Sequence, residues 1–136
     1  MMNRVYLDTC CVIYLIEDVP GFSGPMRNRL AAKPDAILCV SALVQLEVLV
    51  KPLADGNRVL VSDYRDFLAV QEWASISDRE FELATRLRAA HRLKTPDALH
   101  LAAAETHGCT EFWTNDDRLN HAAKAKSINV LAPLNP

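Results

Sequence analysis

The sequence predicts an α/β fold, a three-layer αβα sandwich in which a central, mainly parallel sheet lies between two layers of helices. Short apolar runs of strand length alternate along the chain with longer segments of helical spacing, which is the pattern of a parallel sheet covered on both faces. The 136 residues, half of them apolar, suffice for one hydrophobic core. Because there is no internal repeat and no linker-like segment, residues 1–136 are predicted to form a single domain.

The first half of the chain opens with a short buried strand, because the apolar triplet at residues 5–7 is too short for a helix. Ser41 is a favourable N-cap for a later helix, and Pro52 is expected to end that helix. The elements predicted in this half are, in order, a strand at 5–7, helices at 11–17 and 22–32, a strand at 36–40 and a helix from 41 to 52.

The second half contains two recognisable helix starts. Ser77 followed by Glu80 is a capping-box pattern. Thr95 and Pro96 fit the cap and the first turn of the next helix, which Gly108 ends. The elements predicted in this half are a helix at 57–71, a strand at 73–76, a helix from 77 to about 92, a helix from 95 that stops at 108, a strand at 111–113, a helix at 116–125 and a strand at 128–131.

The charge balance narrows the class of protein. A formal net charge of −2 argues against a protein coated in basic charge, although a local basic patch remains compatible with nucleic-acid binding. Arg86, Arg88, Arg92 and Lys94 lie close together in the sequence, and with Arg118 they are candidate phosphate contacts. A solvated helix face is the ordinary alternative for each of them.

Cysteine usage and the apolar runs indicate the compartment. The cysteines form no CxxC pair and have no zinc-like spacing with the histidines, so we expect Cys10, Cys11, Cys39 and Cys109 to be reduced, mostly buried thiols. Residues 3–4 run directly into the first strand, which argues against a signal peptide. No apolar run approaches the ~20 residues of a membrane span. We therefore expect a cytoplasmic protein.

Two acidic residues follow predicted strands. Asp8 comes directly after the strand at 5–7, and Asp116 follows the strand at 111–113. In an open parallel sheet, ligands bind in the crevice beyond the carboxyl ends of the strands. Each residue also has an ordinary explanation as the cap of the helix that follows it. Asp117 lies beside Asp116 and is an alternative for its role.

Two further acidic residues lie on predicted helices. Glu47 belongs to the apolar stretch at residues 42–50, where Gln45 is the only other polar residue. A carboxylate buried there must be paired, protonated or bound to a cation; a rim position or a salt bridge to Lys51 is the alternative. Asp97 lies in the first turn of its helix, where the helix dipole favours its charged form and gives it an ordinary stabilising role.

In a right-handed α/β sandwich, Asp8, Glu47, Asp97 and Asp116 can converge on one crevice. Carboxylates at close range repel one another and resist ionisation unless a positive charge compensates. Mg²⁺ or Mn²⁺ supplies that charge, because these cations prefer oxygen ligands, and no Cys/His cluster competes as a zinc site. The sequence therefore predicts an acidic divalent-metal site, with Asp8 and Asp97 as the first candidates for direct ligands and Asp116 next.

Four segments of the chain together resemble PIN-domain proteins, and more particularly the VapC-like toxins of bacterial toxin–antitoxin pairs. These segments are residues 5–9, 41–47, 97–104 and 112–116; they occur in the family's order, and the resemblance spans essentially the whole chain. The resemblance implies a PIN-like αβα fold, Mg²⁺- or Mn²⁺-dependent RNA cleavage and homodimerisation. It also assigns the catalytic and metal-binding site to Asp8, Glu47, Asp97 and Asp116, with Thr9, Thr114 and Asn115 in supporting positions.

The resemblance further implies a cognate, VapB-like antitoxin that wraps helices of the toxin and places a basic side chain near the acidic site. The apolar helices at residues 11–17 and 57–71 are the candidate docking surfaces. His100, one turn past Asp97 in an apolar stretch, is expected to be a core or supporting histidine rather than a general base.

Three alternatives accompany the metal-dependent endoribonuclease, in which metal-activated water would attack the phosphodiester. A catalytically silent PIN-like module for RNA or protein binding has no need of Glu47. A Mg²⁺-dependent phosphatase fits Asp8 and Thr9 but has Cys10 where a second Asp is required. A receiver-like domain needs a phosphoacceptor Asp after a central strand, whereas the central acid here lies inside a helix.

Overall fold

A computed structural model describes residues 3–123 and 127–129. Over these residues, seven helices pack around a five-stranded sheet, which confirms the predicted α/β fold. The elements are, in chain order, β1 (Arg4–Leu7), α1 (Thr9–Ile16), α2 (Ser23–Ala31), β2 (Ile37–Ser41), α3 (Ala42–Ala54), α4 (Arg58–Ala69), β3 (Glu72–Ala74), α5 (Asp78–His91), α6 (Thr95–Thr106), β4 (Glu111–Thr114), α7 (Asp117–Ala123) and β5 (Ser127–Asn129).

The strand order is β3-β2-β1-β4-β5, and every pairing is parallel. β1 is central, with Tyr6 opposite Cys39 of β2 and Leu7 opposite Trp113 of β4. From β1 the chain builds the sheet outwards to β3 and then crosses back to add β4 on the other side. The direction of building therefore reverses between β1 and β4, and such a reversal opens a crevice at the carboxyl ends of the two strands.

The centre of the core is formed by β1, β4 and α6. Val5, Tyr6 and Leu7 are fully buried, as is Trp113. In α6 every residue from 98 to 104 is buried, and its small alanine side chains allow close packing. Polar groups carried by these elements must find hydrogen-bond partners inside the protein, because water cannot reach them.

Two helix ends differ from the prediction. α3 continues through Pro52 to Ala54, because a proline in the last turn costs the helix one hydrogen bond without preventing a short continuation. α6 has Lys94 in the cap position, so Thr95 is its first helical residue rather than its cap. Pro96 then occupies the second helical position, where its missing N–H has no intrahelical acceptor to lose.

The predicted capping box of α5 is confirmed. The backbone N–H and the hydroxyl of Ser77 both donate to Glu80 Oε1, at 2.7 and 2.6 Å. These donors lower the pKa of Glu80 to about 2, and its side chain is buried at the start of the helix. The charged carboxylate therefore belongs to the structural framework of α5.

The predicted state of the cysteines is confirmed over the described residues. All four cysteines are free, and Cys11, Cys39 and Cys109 are buried. Residues 124–125 of the last predicted helix and 130–131 of the last predicted strand lie outside the described residues. None of the helices described is both long and apolar enough to cross a bilayer.

Candidate active site

Asp8 lies at the carboxyl end of β1 and is the N-cap of α1. Its Oδ1 accepts the backbone N–H of Thr9 at 2.8 Å, and its Oδ2 accepts the hydroxyl of Thr114 at 2.7 Å. The residue is only 7% exposed. The ordinary reading as a helix cap and the reading as a crevice residue are therefore both correct, because the cap sits at the carboxyl edge of the sheet.

Asp116 is tied to Asp8 through a single hydroxyl. The Thr114 hydroxyl that donates to Asp8 also accepts the backbone N–H of Asp116, at 3.0 Å. The exposed Asp116 carboxylate accepts the backbone N–H groups of Arg118 and Leu119 and so caps α7. Thr114 thus links the ends of neighbouring strands β1 and β4 at the point where the sheet order reverses.

Glu47 is held on the other side of Asp8. Its Oε1 accepts the hydroxyl of Thr9 at 2.7 Å and lies 2.6 Å from Nε2 of His100. His100 Nε2 is also 3.8 Å from Asp8 Oδ1, so the imidazole faces both carboxylates. The hydrogen bond from His100 is the main reason that the pKa of Glu47 is lowered.

Of the sequence-based interpretations of Glu47, the fully buried carboxylate is wrong and the rim position agrees with the structure. Its side chain is 30% exposed, and the adjacent Leu46 and Val50 are more than half exposed. The apolar composition of α3 therefore reflects an exposed apolar surface as well as the core. The suggested salt bridge to Lys51 is not formed, because Lys51 pairs with Asp55 at 3.1 Å.

Asp97 lies in the first turn of α6 and is half-buried. Its pKa is raised, first by burial and then by the negative charges of Asp8 and Asp116, with a smaller contribution from Glu47. The nearby His100 acts in the opposite direction. The carboxylates predicted from sequence therefore lie close enough to influence one another electrostatically, on one edge of the sheet.

A buried hydrogen-bond chain supports Glu47 from behind. His100 is 1% exposed, its Nδ1 lies 2.7 Å from the hydroxyl of Tyr6, and that hydroxyl lies 2.8 Å from Ser41 Oγ. In the neutral tautomer in which Nε2 donates to Glu47, Nδ1 accepts from Tyr6, and the Tyr6 oxygen accepts from Ser41. This chain confirms His100 as a supporting residue and explains why the Ser41 hydroxyl does not cap α3.

Tyr6 and Ser41 were missed as site residues. The available signal was the phenol of Tyr6 inside an otherwise apolar buried strand, since a buried tyrosine hydroxyl nearly always has a partner. Burial is also the main cause of the raised pKa of Tyr6, which keeps the phenol protonated. The sequence does not identify the partners, because they depend on how β1 pairs with β2 and on how α6 packs against the sheet.

A cavity of about 460 Å³ opens beside the acidic residues; it is lined by Lys94, Asp97, Asn115, Asp116, Asp117 and Arg118. Asn115, one of the supporting positions, also donates to the hydroxyl of Tyr14 at the long distance of 3.4 Å. Asp116 and Asp117 both line this cavity, and the negative charge of Asp116 contributes to the raised pKa of Asp97. Asp116 therefore lies within electrostatic reach of the other predicted carboxylates.

The donor chemistry of this crevice fits a hard divalent cation. Asp8, Glu47, Asp97 and Asp116 contribute only carboxylate oxygens, and burial together with the repulsion between these groups raises the pKa of Asp97. Within residues 3–123 and 127–129, no three acidic, His or Cys side chains are already gathered as a metal-binding cluster. Asp8 and Glu47 make hydrogen bonds to protein donors, which hold their carboxylates at the edge of the crevice.

The chain is similar to proteins of known kind over nearly its whole length. The family model described as PIN domain matches residues 5–125. Ribonuclease VapC46 of Mycobacterium tuberculosis (strain ATCC 25618 / H37Rv) is 31% identical over an alignment of 134 residues that covers 97% of this chain and 99% of the relative. Ribonuclease VapC35 of the same species is 29% identical over 138 residues, covering 95% of this chain and 96% of the relative.

Solved structures reproduce the fold. A toxin–antitoxin complex from Klebsiella pneumoniae matches with a TM-score of 0.75 and 24% identity, covering 93% of this chain and 97% of the other. The sarcin–ricin loop cleaving toxin VapC20 of Mycobacterium tuberculosis matches with a TM-score of 0.72 and 17% identity, covering 90% of this chain and 97% of the other. At these identities the structural likeness supports the fold alone.

Replacing Asp97 with asparagine is expected to raise the free energy of unfolding at pH 7 in the presence of chelator. The raised pKa of Asp97 means that the folded protein disfavours its ionised form relative to the unfolded chain. This destabilisation is present above the folded-state pKa and disappears below the ordinary value of 3.8. Urea unfolding between pH 3 and 8 should show the largest gain at neutral pH, with the exposed Asp63→Asn as control. A loss of stability at pH 7 in Asp97→Asn would contradict the raised pKa of Asp97.

Tyr6→Phe is expected to destabilise the fold by about 1–3 kcal/mol, because it leaves the buried His100 Nδ1 without its donor. The stacked contact between the rings of Tyr6 and Phe112, with centroids 5.5 Å apart, survives the change. Chemical denaturation measures the effect. Tyr14→Phe is the matched control, since within the described residues the one hydrogen bond of the Tyr14 hydroxyl is the long contact with Asn115. Equal, small effects of the two substitutions would show that the buried chain contributes little.

Proposed function

The chain belongs to the PIN-domain family, and we propose that it is an endoribonuclease toxin of the VapC type that cleaves RNA phosphodiester bonds at the acidic crevice. Its relatives VapC46 and VapC35 are named as ribonucleases, and the similarity covers nearly the full length of both. The observation that carries the proposal is the hydrogen-bonded linkage of Asp8, Glu47 and Asp116 at the reversal point of the sheet. Asp97 faces the same crevice, as the origin of its raised pKa indicates.

We propose that Asp8, Glu47, Asp97 and Asp116 hold Mg²⁺ or Mn²⁺. When bound, such a cation offsets the carboxylate charge, activates water as a nucleophile and stabilises charge that develops on the phosphoryl oxygens. Thr9 and Thr114 orient Asp8, and His100 orients Glu47. These donors fix where the carboxylates lie before substrate arrives, which reduces the reorganisation that the reaction requires.

His100 serves as a positioning residue. Its ring is 1% exposed and lies behind Glu47, so it cannot reach a phosphodiester in the crevice. Lys94 and Arg118 instead line the open cavity next to Asp97 and Asp116, where their charges would attract the phosphate backbone. Proton transfer at the crevice is therefore left to the carboxylates and to solvent.

Replacing Asp8 or Asp97 with asparagine is expected to lower the rate of RNA cleavage by about a hundredfold or more, since each change removes an oxygen ligand and a charge. Purified protein is incubated with total RNA, with Mg²⁺ or with chelator, and the cut sites are mapped by sequencing. The wild-type protein should cut at defined sites in Mg²⁺, and chelator should stop the cleavage.

The exposed Asp63→Asn on α4 is the charge-matched control and should retain wild-type cleavage. Asp117→Asn should lower the rate much less than Asp116→Asn, which tests the assignment of the fourth carboxylate. A folded Asp8→Asn protein with full activity, or wild-type cleavage that persists in chelator, would refute the metal-dependent mechanism. A wild-type protein that binds RNA without cutting it would support the catalytically silent module instead.

We propose an antitoxin as the partner of this toxin, docked on an apolar helical surface that consists of Leu46, Val50, Leu53 and Val59. The first three lie at helical spacing on α3 and are 58, 60 and 56% exposed, and Val59 on α4 is 73% exposed. Contiguous exposed apolar residues of this kind mark protein-binding surfaces. The α4 part agrees with the sequence-based expectation, whereas α3 is a better candidate than α1, in which Cys11 and Val12 are buried.

The double substitution Leu46→Glu and Val50→Glu is expected to prevent association with the proposed antitoxin, because it places charges on the docking surface. Co-expression followed by affinity purification measures the association, and circular dichroism checks the fold. Val70→Glu, at a position 80% exposed outside this surface, is the control. Undiminished co-purification of the double variant would place the antitoxin elsewhere.

Two further parts of the proposal concern assembly and compartment. We propose that the protein forms a homodimer, which light scattering coupled to gel filtration tests directly. We also propose that it acts in the cytoplasm, and its four free cysteines support a reducing compartment.

A further inference from the structure

We propose that a basic trough, formed by His91, Arg92, Lys94, Arg118 and His121, binds the single-stranded RNA that leads away from the acidic crevice. This inference rests on the proposed ribonuclease function. It identifies the surface beside the crevice that binds the substrate strand. The trough runs from the carboxyl end of α5 to α7.

Two adjoining cavities form the trough. The first is the 460 Å³ cavity beside the acidic residues, which contains Lys94 and Arg118. The second, of about 420 Å³, is lined by Ala90, His91, Arg92, Asp117, Arg118 and His121. Asp117 and Arg118 line both cavities, so the surface continues from the crevice towards the end of α5.

The three long cations of the trough differ in their pairing from the two other phosphate candidates of the sequence, Arg86 and Arg88. Arg86, a phosphate candidate from the sequence, is paired with Glu82 at 3.1 Å, and Arg88 donates to the carbonyl of Leu93 at 2.8 Å. In the part of the chain that the structure describes, the side chains of Arg92, Lys94 and Arg118 form no ion pair or hydrogen bond.

Unpaired cations are available to phosphates without first breaking an internal contact. The structure thus separates the five basic candidates into two that are engaged within the fold and three that face the cavities. Only the second group lines the two cavities of the trough.

The backbone at Arg92 supports a role for its side chain. Arg92 ends α5 in the left-handed region, with φ 56° and ψ 37°, and is the one described non-glycine residue with positive φ. The other such positions described, Gly21, Gly56 and Gly108, are glycines, which adopt this conformation without strain. An arginine at a position that favours glycine is explained when its side chain has a function.

The composition of the trough matches single-stranded RNA better than an apolar protein segment. Guanidinium and ammonium groups bind phosphates, and imidazole rings such as those of His91 and His121 stack on unpaired bases. Asp117 is the one acidic residue that both cavities share, and it lies next to Arg118 in the chain. An acidic protein partner is the competing occupant, which the experiment below separates from RNA.

The test measures RNA affinity in the full-length chain. A short fluorescent single-stranded RNA that spans a mapped cut site is titrated with protein in chelator, and binding is followed by anisotropy at several salt concentrations. Arg92→Ala and Arg118→Ala are each expected to weaken binding about fivefold at 0.1 M salt, because each phosphate contact to a single strand contributes a salt exponent of about 0.7. Arg92→Lys and Arg118→Lys should retain most of the affinity.

Arg79→Ala, at the other end of α5, is the charge-matched control and should bind RNA like the wild type. In Mg²⁺, the double variant Arg92→Ala and Arg118→Ala should show a raised KM with little change in kcat, as expected for a contact that binds substrate without entering the chemistry.

Wild-type affinity and KM in the double variant would overturn the proposal while cleavage by the wild type keeps the ribonuclease function intact. If that variant lost the antitoxin but kept its RNA affinity, the trough would be a protein-binding surface. A wild-type protein that neither binds nor cuts RNA would refute both proposals.

Discussion

The mutual repulsion of carboxylates at the carboxyl ends of β1 and β4 is the interaction on which the arrangement of the acidic crevice depends. Asp97 carries a raised pKa because it is partly buried among Asp8, Asp116 and Glu47. Such an arrangement is unfavourable unless neighbouring donors and, in function, a cation compensate for the charge. The donors around the crevice provide part of this compensation. Thr114 and Thr9 supply hydroxyl groups and His100 supplies an imidazole to the carboxylates of Asp8 and Glu47.

These donors connect the crevice to the core. His100 is buried in α6, and through Tyr6 and Ser41 it is linked to the two central strands β1 and β2. The carboxylates of the site are therefore held by buried strands and a buried helix, whereas the cavity that would receive substrate is lined by exposed and half-buried residues at the ends of elements. Side chains whose own positions are fixed by packing and hydrogen bonds are what a preorganised site requires.

Much of this arrangement was predictable because parallel strands place their carboxyl ends on one edge. Asp8 and Asp116 follow strands that were evident from their short apolar runs, and Asp97 follows a clear helix start. Glu47 lies beside Asp8 and His100, but the sequence argument that singled it out was partly wrong, since the apolar stretch around it is partly an exposed surface and not wholly a core. Sequence spacing cannot distinguish a helix buried on all sides from one that presents an apolar face to a partner.

The details that sequence could not provide are contacts between distant segments. The pairing of Tyr6 with His100 joins residues 94 positions apart, and it follows only from the strand order and the depth of α6. The difference between Arg86, which is paired within its own helix, and Arg118, which faces the cavity, likewise depends on side-chain surroundings.

Direct titration with Mn²⁺ is the measurement that tests the central claim most directly, because it detects the cation without relying on RNA. The account predicts saturable Mn²⁺ binding to the chelator-stripped wild-type protein and strongly weakened binding when Asp8 or Asp97 is changed to asparagine. Mn²⁺ binding that is absent in the wild type, or that is unaffected by either substitution, would contradict it.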